Sequence, residues 1–310
     1  MSRSERLLKQ QLFECQMQPK TRIVSNHLNT VELAKPTRKK DTTVRLSYAY
    51  RFPRHLLDPP SHLHSKQRAN VSIVLGIPTF RRRKEFYLRA TIYNLLSNMN
   101  EAEQNETLIV VHIGDSEEDE VLNMLEKIQA SFQKQLDSGL IDIITSSASN
   151  YPDLDITERS KQNLDLAQLM AYAHTKGIYY VQLADDIVTR PHFITSMRKF
   201  ALIQSALANP FEPSWFVLDF SKFGFLGKLF KSTELPYLIM FLQFFYNDMN
   251  AQDVLSYLIE SKLCRQDIME GRHCQRLKAK LWQHFDGNLF YNVANMSLKS
   301  KLKLQADEIA

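Results

Sequence analysis

The sequence predicts an α/β fold with a mostly parallel, doubly wound sheet. Short apolar runs of strand length alternate along the chain with longer segments that have helical periodicity. The connections between them are short, which is typical of βαβ units that build a parallel sheet. Glycine supplies only 8 of the 310 residues, which disfavours Gly-rich phosphate-binding loops and β-helical repeats.

The order of the segments predicts two parts of the chain. Residues 1–68 are polar, basic and poorly periodic, and we interpret them as an irregular N-terminal extension. Residues 69–310 are expected to form the α/β domain. Much of the net charge of +5 lies near the first part, in the runs KPTRKK (35–40) and RRRK (81–84). A solvated basic tail explains these runs. Nucleic acid is not an expected partner, because no aromatic-interleaved basic motif or zinc-ligand spacing accompanies them.

The individual elements follow from their patterns. A continuous apolar run that stops at a turn signal indicates a strand buried on both faces, and apolar residues at helical spacing indicate an amphipathic helix. The stretch 235–259 predicts one or two core helices, with an exposed apolar patch for a partner as the alternative. The predicted strands are 71–77, 106–115, 140–146 and 178–184, and the predicted helices between them are 84–99, 118–136 and 159–177.

Polar residues follow several of the predicted strands directly. Asp185 and Asp186 end the fourth strand, Asp115 ends the second, and Pro78-Thr79 ends the first. Ligands of parallel sheets bind beyond these carboxyl ends. Two adjacent carboxylates there can bind a hard divalent cation that holds phosphates. The chain has no GxxxxGK[ST] or GxGxxG motif, which leaves a metal-bridged diphosphate as in nucleotide-sugar chemistry. An Asp pair that caps the following turn is the structural alternative.

Cysteine usage and targeting signals leave the compartment open. Cys264 and Cys274 flank a polar, loop-like stretch and can form one local disulfide outside the cytosol, whereas in the cytosol they would be free thiols. Cys15 is expected to be unpaired. No run of about 18 apolar residues and no signal-peptide pattern is visible, so the chain by itself is expected to be soluble.

Several blocks resemble glycosyltransferase family 54, the N-acetylglucosaminyltransferase IV family. The similarity runs from about residue 70 to 300. It includes VSIVLGIPTF (71–80), SGLIDIITS (138–146), KQNLDLAQLMAYAHTKGIYYVQLADDI (161–187), DFSKFGFLGKLF (219–230) and LCRQDIMEGRHC (263–274). The resemblance implies a GT-A fold, a UDP-GlcNAc donor, manganese, an inverting reaction and the Golgi lumen. It also implies the activity, which is transfer of GlcNAc in β-1,4 linkage to the α-1,3-mannose arm of N-glycans.

The resemblance also implies roles for individual residues of these blocks, position by position. Asp185 and Asp186 match a carboxylate motif that normally reads Glu-Asp-Asp, with Asp186 at the position of the metal ligand. The expected donor-binding residues are Pro78, Thr79, Arg81, Arg82, Asp115 and Asp185.

Two further assignments lie in the later blocks. Asp219 occupies an acidic position of the family and is a candidate catalytic base, because inversion requires deprotonation of the attacking sugar hydroxyl. A satisfied carboxylate at the end of the strand WFVLDF (215–220) is the alternative for Asp219. Cys264 and Cys274 match a cysteine pair of the family, which favours a disulfide between them and a secretory-pathway location.

Departures from the family pattern keep a second function open. Ala184 replaces the first acid of the motif, and Ala294, Met296 and Leu298 stand in a segment where the family carries Gly, His and Ser residues. The family's membrane anchor and lectin-like region have no counterpart in these residues. The alternative is therefore a catalytically impaired homologue that regulates N-glycan branching by binding other Golgi glycosyltransferases or glycoproteins. The intact Asp185-Asp186 pair and the GIPT stretch (76–79) favour the enzyme.

Overall fold

The structure is a computed structural model, and it describes residues 63–79, 87–114, 117–146, 151, 157–207, 214–263 and 272–293. All of these residues belong to the unit that spans residues 53–310. Arg81, Arg82, Asp115, Cys264 and the segment from Ala294 onward lie outside the described residues, so the predictions made for them stay predictions.

A central sheet of eight strands dominates the described part of the chain. The strand order is β1-β4-β3-β2-β5-β8-β7-β9, and a separate pair is formed by β6 and β10. The strands are β1 (Leu63–His64), β2 (Val71–Thr79), β3 (Thr107–Ile113), β4 (Ile141–Thr145), β5 (Gly177–Gln182), β6 (Ile187–Thr189), β7 (Val217–Asp219), β8 (Lys228–Lys231), β9 (Trp282–His284) and β10 (Phe290–Asn292).

The four strands predicted from apolar runs form the parallel part of this sheet. β2 pairs in parallel with both β3 and β5, and β3 pairs in parallel with β4. Every residue of β3 and β4 is buried, as expected for strands with helices on both faces. The prediction of an α/β fold with a mostly parallel, doubly wound sheet is confirmed.

Helices cover both faces of the sheet. They are α1 (Leu88–Ser97), α2 (Glu101–Asn105), α3 (Glu118–Asp137), α4 (Glu158–Ala173), α5 (Phe193–Ala206), α6 (Leu235–Phe244), α7 (Ala251–Leu263) and α8 (Arg272–Leu281). The apolar stripes of α1, α3 and α5 pack with the odd-numbered side chains of β2 and β3 in one core cluster. Helix α4 lies between β2, β3 and β5 on one side and α6 on the other, which explains its burial on both faces.

The far side of the sheet was not predicted in detail. β8 runs antiparallel to β5 and to β7, and β9 runs parallel to β7. β7 and β8 therefore form a hairpin inserted beside the parallel strands. Its connection ends at Gly227, whose φ of +70° suits glycine and where a Cβ would lie 2.9 Å from that of Ser221.

The sheet begins earlier in the chain than the sequence predicts. The strand β1 pairs antiparallel with β4, so the sheet already includes Leu63–His64, which the sequence placed in the irregular extension of residues 1–68. Short polar strands of two residues carry too little pattern to be recognised. The stretch 235–259 forms core helices α6 and α7, as expected. Within the described residues, no helix is long and apolar enough to cross a membrane.

Candidate active site at the carboxyl edge of the sheet

The carboxyl ends of β2 and β5 bring two predicted donor-binding residues into contact. The two strands are parallel neighbours, and Gly76 is paired with Gln182. Thr79 is the last residue of β2, and its Oγ1 donates a hydrogen bond of 2.8 Å to Oδ2 of Asp185. Both side chains are buried. The Asp185 carboxylate is therefore held in a defined position by the end of the neighbouring strand.

Helix α1 fixes the backbone of the same turn. Thr91 lies on the buried face of α1, and its Oγ1 donates to the carbonyl of Asp185 at 2.8 Å. The same hydroxyl accepts a hydrogen bond of 3.1 Å from the backbone N–H of Ile187. One threonine thus satisfies backbone groups on both sides of Asp186. It is a supporting residue that the sequence reasoning missed, although a polar residue at a buried helical position is a usable signal.

The pair of strands β6 and β10 brings a later segment to Asp186. Ile187 of β6 is paired with Asn292 of β10, and the backbone N–H of Val293 donates to the carbonyl of Asp186 at 2.8 Å. The stretch 288–300, which resembles a family segment with Gly, His and Ser residues, therefore starts beside the aspartate pair. Met296 follows Val293 by three positions but lies outside the described residues.

The donor set at this edge suits a hard divalent cation. Asp185 and Asp186 are adjacent, and their exposed fractions are only 5% and 9%. Mg²⁺ in nucleotide sites is commonly bound by one or two carboxylates together with substrate phosphates, and Mn²⁺ also favours oxygen ligands. Among the described residues, no group of three or more His, Cys, Asp or Glu side chains could hold a metal ion. Two adjacent carboxylates of this kind can hold such a cation together with the phosphate oxygens of a ligand.

Asp219 lies at the same edge, at the end of β7, but in a different setting. Its Oδ1 accepts hydrogen bonds from Lys228 Nζ at 2.7 Å and from the Ser221 N–H at 3.2 Å. Its Oδ2 accepts one from Trp282 Nε1 at 3.1 Å and lies 3.4 Å from Nδ1 of His284. Asp219 is 6% exposed. Its role as catalytic base stays a prediction.

Lys228 is an unusual member of this cluster because it is buried. Only 2% of the residue is exposed, and its ammonium also donates to the carbonyls of Ser221 and Leu226. Burial lowers the pKa of Lys228, and the hydrogen bond and charge of Asp219 act in the opposite direction. Lys228 is the first residue of β8 and is paired with Gln182, which ends β5. The ion pair therefore stands next to the strand that leads to Asp185.

A second polar cluster follows strands β3 and β4. Nε2 of His112 lies 2.9 Å from the hydroxyl of Ser146, which donates to Oδ1 of Asp165 at 2.9 Å. Lys161 on α4 pairs with Asp165 at 3.0 Å and also donates to the carbonyl of Gly114. Burial lowers the pKa of His112, opposed by the charge of Asp165. The cluster ties α4 to the residue that precedes Asp115.

Residues 55–309 match the family model described as the MGAT4 conserved region. The chain belongs to the MGAT4 family. This is the N-acetylglucosaminyltransferase IV family that the sequence resembles, so the predicted family is confirmed.

Curated relatives of this MGAT4-family chain carry transferase names. Alpha-1,3-mannosyl-glycoprotein 4-beta-N-acetylglucosaminyltransferase B of Danio rerio is 37% identical over 265 residues, which are 81% of this chain and 47% of that protein. Form A of Pongo abelii is 34% identical, covering 90% of this chain and 54% of that protein. The human form B is 36% identical, with 82% and 48% covered. The chain thus spans about half the length of the curated relatives it matches.

The solved structures that match this chain are less similar to it in sequence than the curated relatives are. A glycosyltransferase involved in glycosylation of the major capsid of PBCV-1 has a TM-score of 0.38 and 10% identity, covering 77% of this chain and all of that one. S. aureus TarS 1-349 has a TM-score of 0.36 and 12% identity, with 77% and 65% covered. Membership in the MGAT4 family does not depend on these structures.

Two further residues that the sequence singled out in this MGAT4-family chain, Pro78 and Cys274, are among the described residues. Pro78 is half-buried near the end of β2, next to Thr79. Cys274 is buried and disulfide-bonded. Its partner is one of the other two cysteines, which lie outside the described residues, so the pairing with Cys264 stays a prediction.

The cluster around Asp219 contains residues that the sequence reasoning missed. Lys228, Trp282 and His284 meet only because β8 and β9 flank β7. The sequence holds one usable signal, a lysine that opens the apolar stretch KLF nine positions after an acid in VLDF. An acid and a base at such positions can face each other across an antiparallel hairpin.

Proposed function

We propose that this MGAT4-family chain transfers GlcNAc from UDP-GlcNAc to an N-glycan, in β-1,4 linkage to the α-1,3-mannose arm and with inversion. The observation that carries the proposal is the contact between Thr79 and Asp185 at the carboxyl edge of the sheet. It supports a fixed carboxylate pair at the position where ligands of such sheets bind. The names of the relatives support the reaction class.

The proposal assigns a role to each described residue of the pair. Asp186 would hold a divalent cation, expected to be Mn²⁺, and a bound cation would offset charge on the diphosphate leaving group. Asp185, held by Thr79, would orient the donor beside it. Thr91 keeps the turn rigid, so that both carboxylates meet the donor without rearrangement. Pro78, Arg81, Arg82 and Asp115 complete the proposed donor-binding set.

A calorimetric titration of UDP with and without Mn²⁺ tests the donor site. Asp186→Asn should abolish the dependence of binding on Mn²⁺, because an amide cannot supply the negative charge that offsets the ion. Asp185→Asn should weaken binding less. Asp137→Asn is a matched control, since Asp137 is exposed at the end of α3, which leads to the start of β4 at the opposite edge of the sheet. Equal UDP affinity with and without Mn²⁺ in the parent chain would refute the metal site.

A turnover assay tests the reaction itself. The measurement is consumption of UDP-GlcNAc in the presence and absence of an N-glycan acceptor that carries a free α-1,3-mannose arm. The proposal requires acceptor-dependent consumption and a β-1,4-linked product. Hydrolysis that does not depend on the acceptor would contradict it.

Ala184 favours a second candidate function, a catalytically impaired homologue that regulates N-glycan branching by binding glycosyltransferases or glycoproteins. It removes one carboxylate from the family motif while the contacts of Asp185 remain. Metal-dependent UDP binding without turnover in the parent, and turnover in Ala184→Glu, would support this candidate over the enzyme.

We also propose the lumen of the Golgi or another secretory compartment as the site of action. The disulfide at Cys274 supports this, because stable disulfides form mainly in oxidising compartments. Labelling of free thiols in the chain isolated from cells provides the test. Labelling of all three cysteines without prior reduction would contradict a secretory location.

A further inference from the structure

We propose that His284 is the general base of the transfer reaction and that Asp219 and Lys228 are its positioning residues; this inference rests on the proposed function. A general base must come within hydrogen-bonding distance of the acceptor hydroxyl. The Asp219 carboxylate is buried, and both of its oxygens already face donors of the protein. The side chain of His284 is 70% exposed and its Nδ1 lies 3.4 Å from Oδ2 of Asp219.

The edge strand β9 puts the imidazole in this place. β9 is parallel to β7, and His284 is paired directly with Asp219 while Trp282 is paired with Val217. Residues two apart in a strand share a face, so Trp282 and His284 lie on the same side of the sheet as Asp219. The rings of Trp282 and His284 are stacked, with centroids 6.2 Å apart and planes at 17°. The imidazole is thus supported by an aromatic ring and a carboxylate.

The carboxylate also orients the ring. Nδ1 is the ring nitrogen that faces Asp219, at 3.4 Å from its Oδ2. The proposal takes Nδ1 as the protonated nitrogen of the neutral ring, which leaves the lone pair of Nε2 for the acceptor. This is the arrangement in which an aspartate orients a histidine that acts as base. Lys228 in turn fixes the other oxygen of Asp219 at 2.7 Å. These contacts run from the buried ammonium of Lys228, through the carboxylate of Asp219, to the exposed imidazole of His284.

Asp219 and His284 lie at the same edge of the sheet as the proposed donor site. Gln182, Lys228, Asp219 and His284 are successive register partners across β5, β8, β7 and β9. Three strand spacings separate β9 from β5, or about 14 Å. Asp185 and Asp186 follow the end of β5. An acceptor sugar between the two groups would present its hydroxyl to His284 and face the donor on its other side.

The proposed step balances as a single displacement. The acceptor hydroxyl oxygen forms a bond to the anomeric carbon, and its proton moves to Nε2 of His284. The bond from the anomeric carbon to the diphosphate oxygen breaks, and its electron pair leaves with UDP. The imidazolium that forms is stabilised by the charge of Asp219. Because His284 is exposed, the proton then passes to solvent.

Other charges near β9 come from a helix and from Asp286, which is exposed two residues after His284. Besides Asp219 and Lys228 on the β7–β8 hairpin, the described charged side chains on α8, which packs against β9, are Arg276, Lys278 and Lys280. Lys278 pairs with Glu260. Among the described residues, the anionic group within ion-pair distance of His284 is the carboxylate of Asp219. Its charge is therefore the one to remove.

The test is a kinetic comparison of the intact chain with His284→Ala, measured as GlcNAc transfer to the N-glycan acceptor. The variant should lose about 10²- to 10⁴-fold in kcat, with the KM for UDP-GlcNAc within about twofold of the parent value. Added imidazole should restore part of the rate. His174→Gln, at the end of α4, is the matched control and should behave as the parent.

The positioning role has its own variant. Asp219→Asn alone leaves Lys228 buried without its counter-charge and risks misfolding, so Asp219→Asn combined with Lys228→Met removes both charges. The double variant should keep UDP affinity and lose at least about tenfold in kcat. Turnover in His284→Ala within threefold of the parent, or a reduced turnover that added imidazole does not raise, would refute the base assignment alone. A parent chain without acceptor-dependent turnover would refute the proposed function and the base with it.

Discussion

The buried ion pair between Lys228 and Asp219 makes a strong prediction about stability. Lys228→Met replaces a fully buried ammonium by an apolar side chain of similar length. The Ser221 N–H and the Trp282 indole N–H still bind Asp219, but its counter-charge is lost. The carbonyls of Ser221 and Leu226 also lose their donor. The variant therefore leaves a buried carboxylate without the ammonium that balances its charge.

The size of the effect follows from the geometry. Two unit charges 2.7 Å apart attract by about 6 kcal/mol at an effective dielectric constant of about 20. Desolvation of both groups cancels part of this attraction in the intact pair, as the lowered pKa of Lys228 indicates. Removing one partner of such a pair typically costs about 3–5 kcal/mol. For a domain of this size, that cost corresponds to a decrease of roughly 6–20 °C in Tm.

Equilibrium urea denaturation followed by circular dichroism, with the disulfide kept oxidised, measures this loss. The double variant Lys228→Met with Asp219→Asn should be clearly more stable than Lys228→Met, because it buries no unpaired charge. Lys262→Met is the control, since Lys262 forms a partly exposed pair with Glu234 and should cost about 1 kcal/mol or less. A Lys228→Met variant as stable as the Lys262→Met control would show that the pair is not buried as described.

Three further outcomes are expected. Because burial lowers the pKa of His112 below its unfolded value of about 6.5, the unfolded chain binds more protons below that pH, and stability should fall on acidification by up to about 1.4 kcal/mol per pH unit. His112→Gln should reduce this slope in urea titrations at pH 5 to 7, and an unchanged slope would contradict burial of the ring. Gly76→Ala should destabilise by about 1–3 kcal/mol in the same assay, since a Cβ there overlaps the buried Tyr180 side chain; wild-type stability would refute that packing. Thr91→Val should cost about 1–3 kcal/mol and weaken UDP binding by calorimetry, because the backbone beside Asp185 loses its partner; unaltered binding would mean that α1 does not position the pair.

The parallel half of the sheet could be predicted because its strands are buried on both faces. Runs such as VSIVLGI (71–77) and LIVVHI (108–113) have no polar face, so composition alone identifies them. Strands β8 and β9 could not be found in this way. KLFK begins and ends with lysine, and WQH is only three residues long. Their pairing is determined by tertiary contacts with β5 and β7, which local sequence does not encode.

The residues of the candidate site also differ in whether the sequence could predict them. Asp185, Asp186 and Thr79 were predicted because they directly follow recognisable strands, and the structure brings Thr79 and Asp185 into contact. The surroundings of Asp219 depend on long-range pairing, so Lys228 and His284 were not predicted. A lysine is usually found at the surface. It can be buried only where the fold places a partner that compensates the free-energy cost of desolvating its charge.

The replacement at position 184 is explained by which contacts hold the aspartate pair. Ala184 is half-buried and packs against the core. The Asp185 carboxylate is held by Thr79, its carbonyl by Thr91, and the carbonyl of Asp186 by Val293. None of these contacts uses a side chain at position 184, so loss of an acid there leaves the geometry of the pair intact. Under the proposed function, its consequence is a loss of negative charge near the donor. A charge effect of this kind should reduce donor affinity or turnover in a graded way, and Ala184→Glu should reverse it without changing stability. A gain of turnover in that variant over a parent that already turns over would indicate a weakened enzyme, whereas turnover that appears only in the variant would indicate that the parent chain is the catalytically impaired homologue.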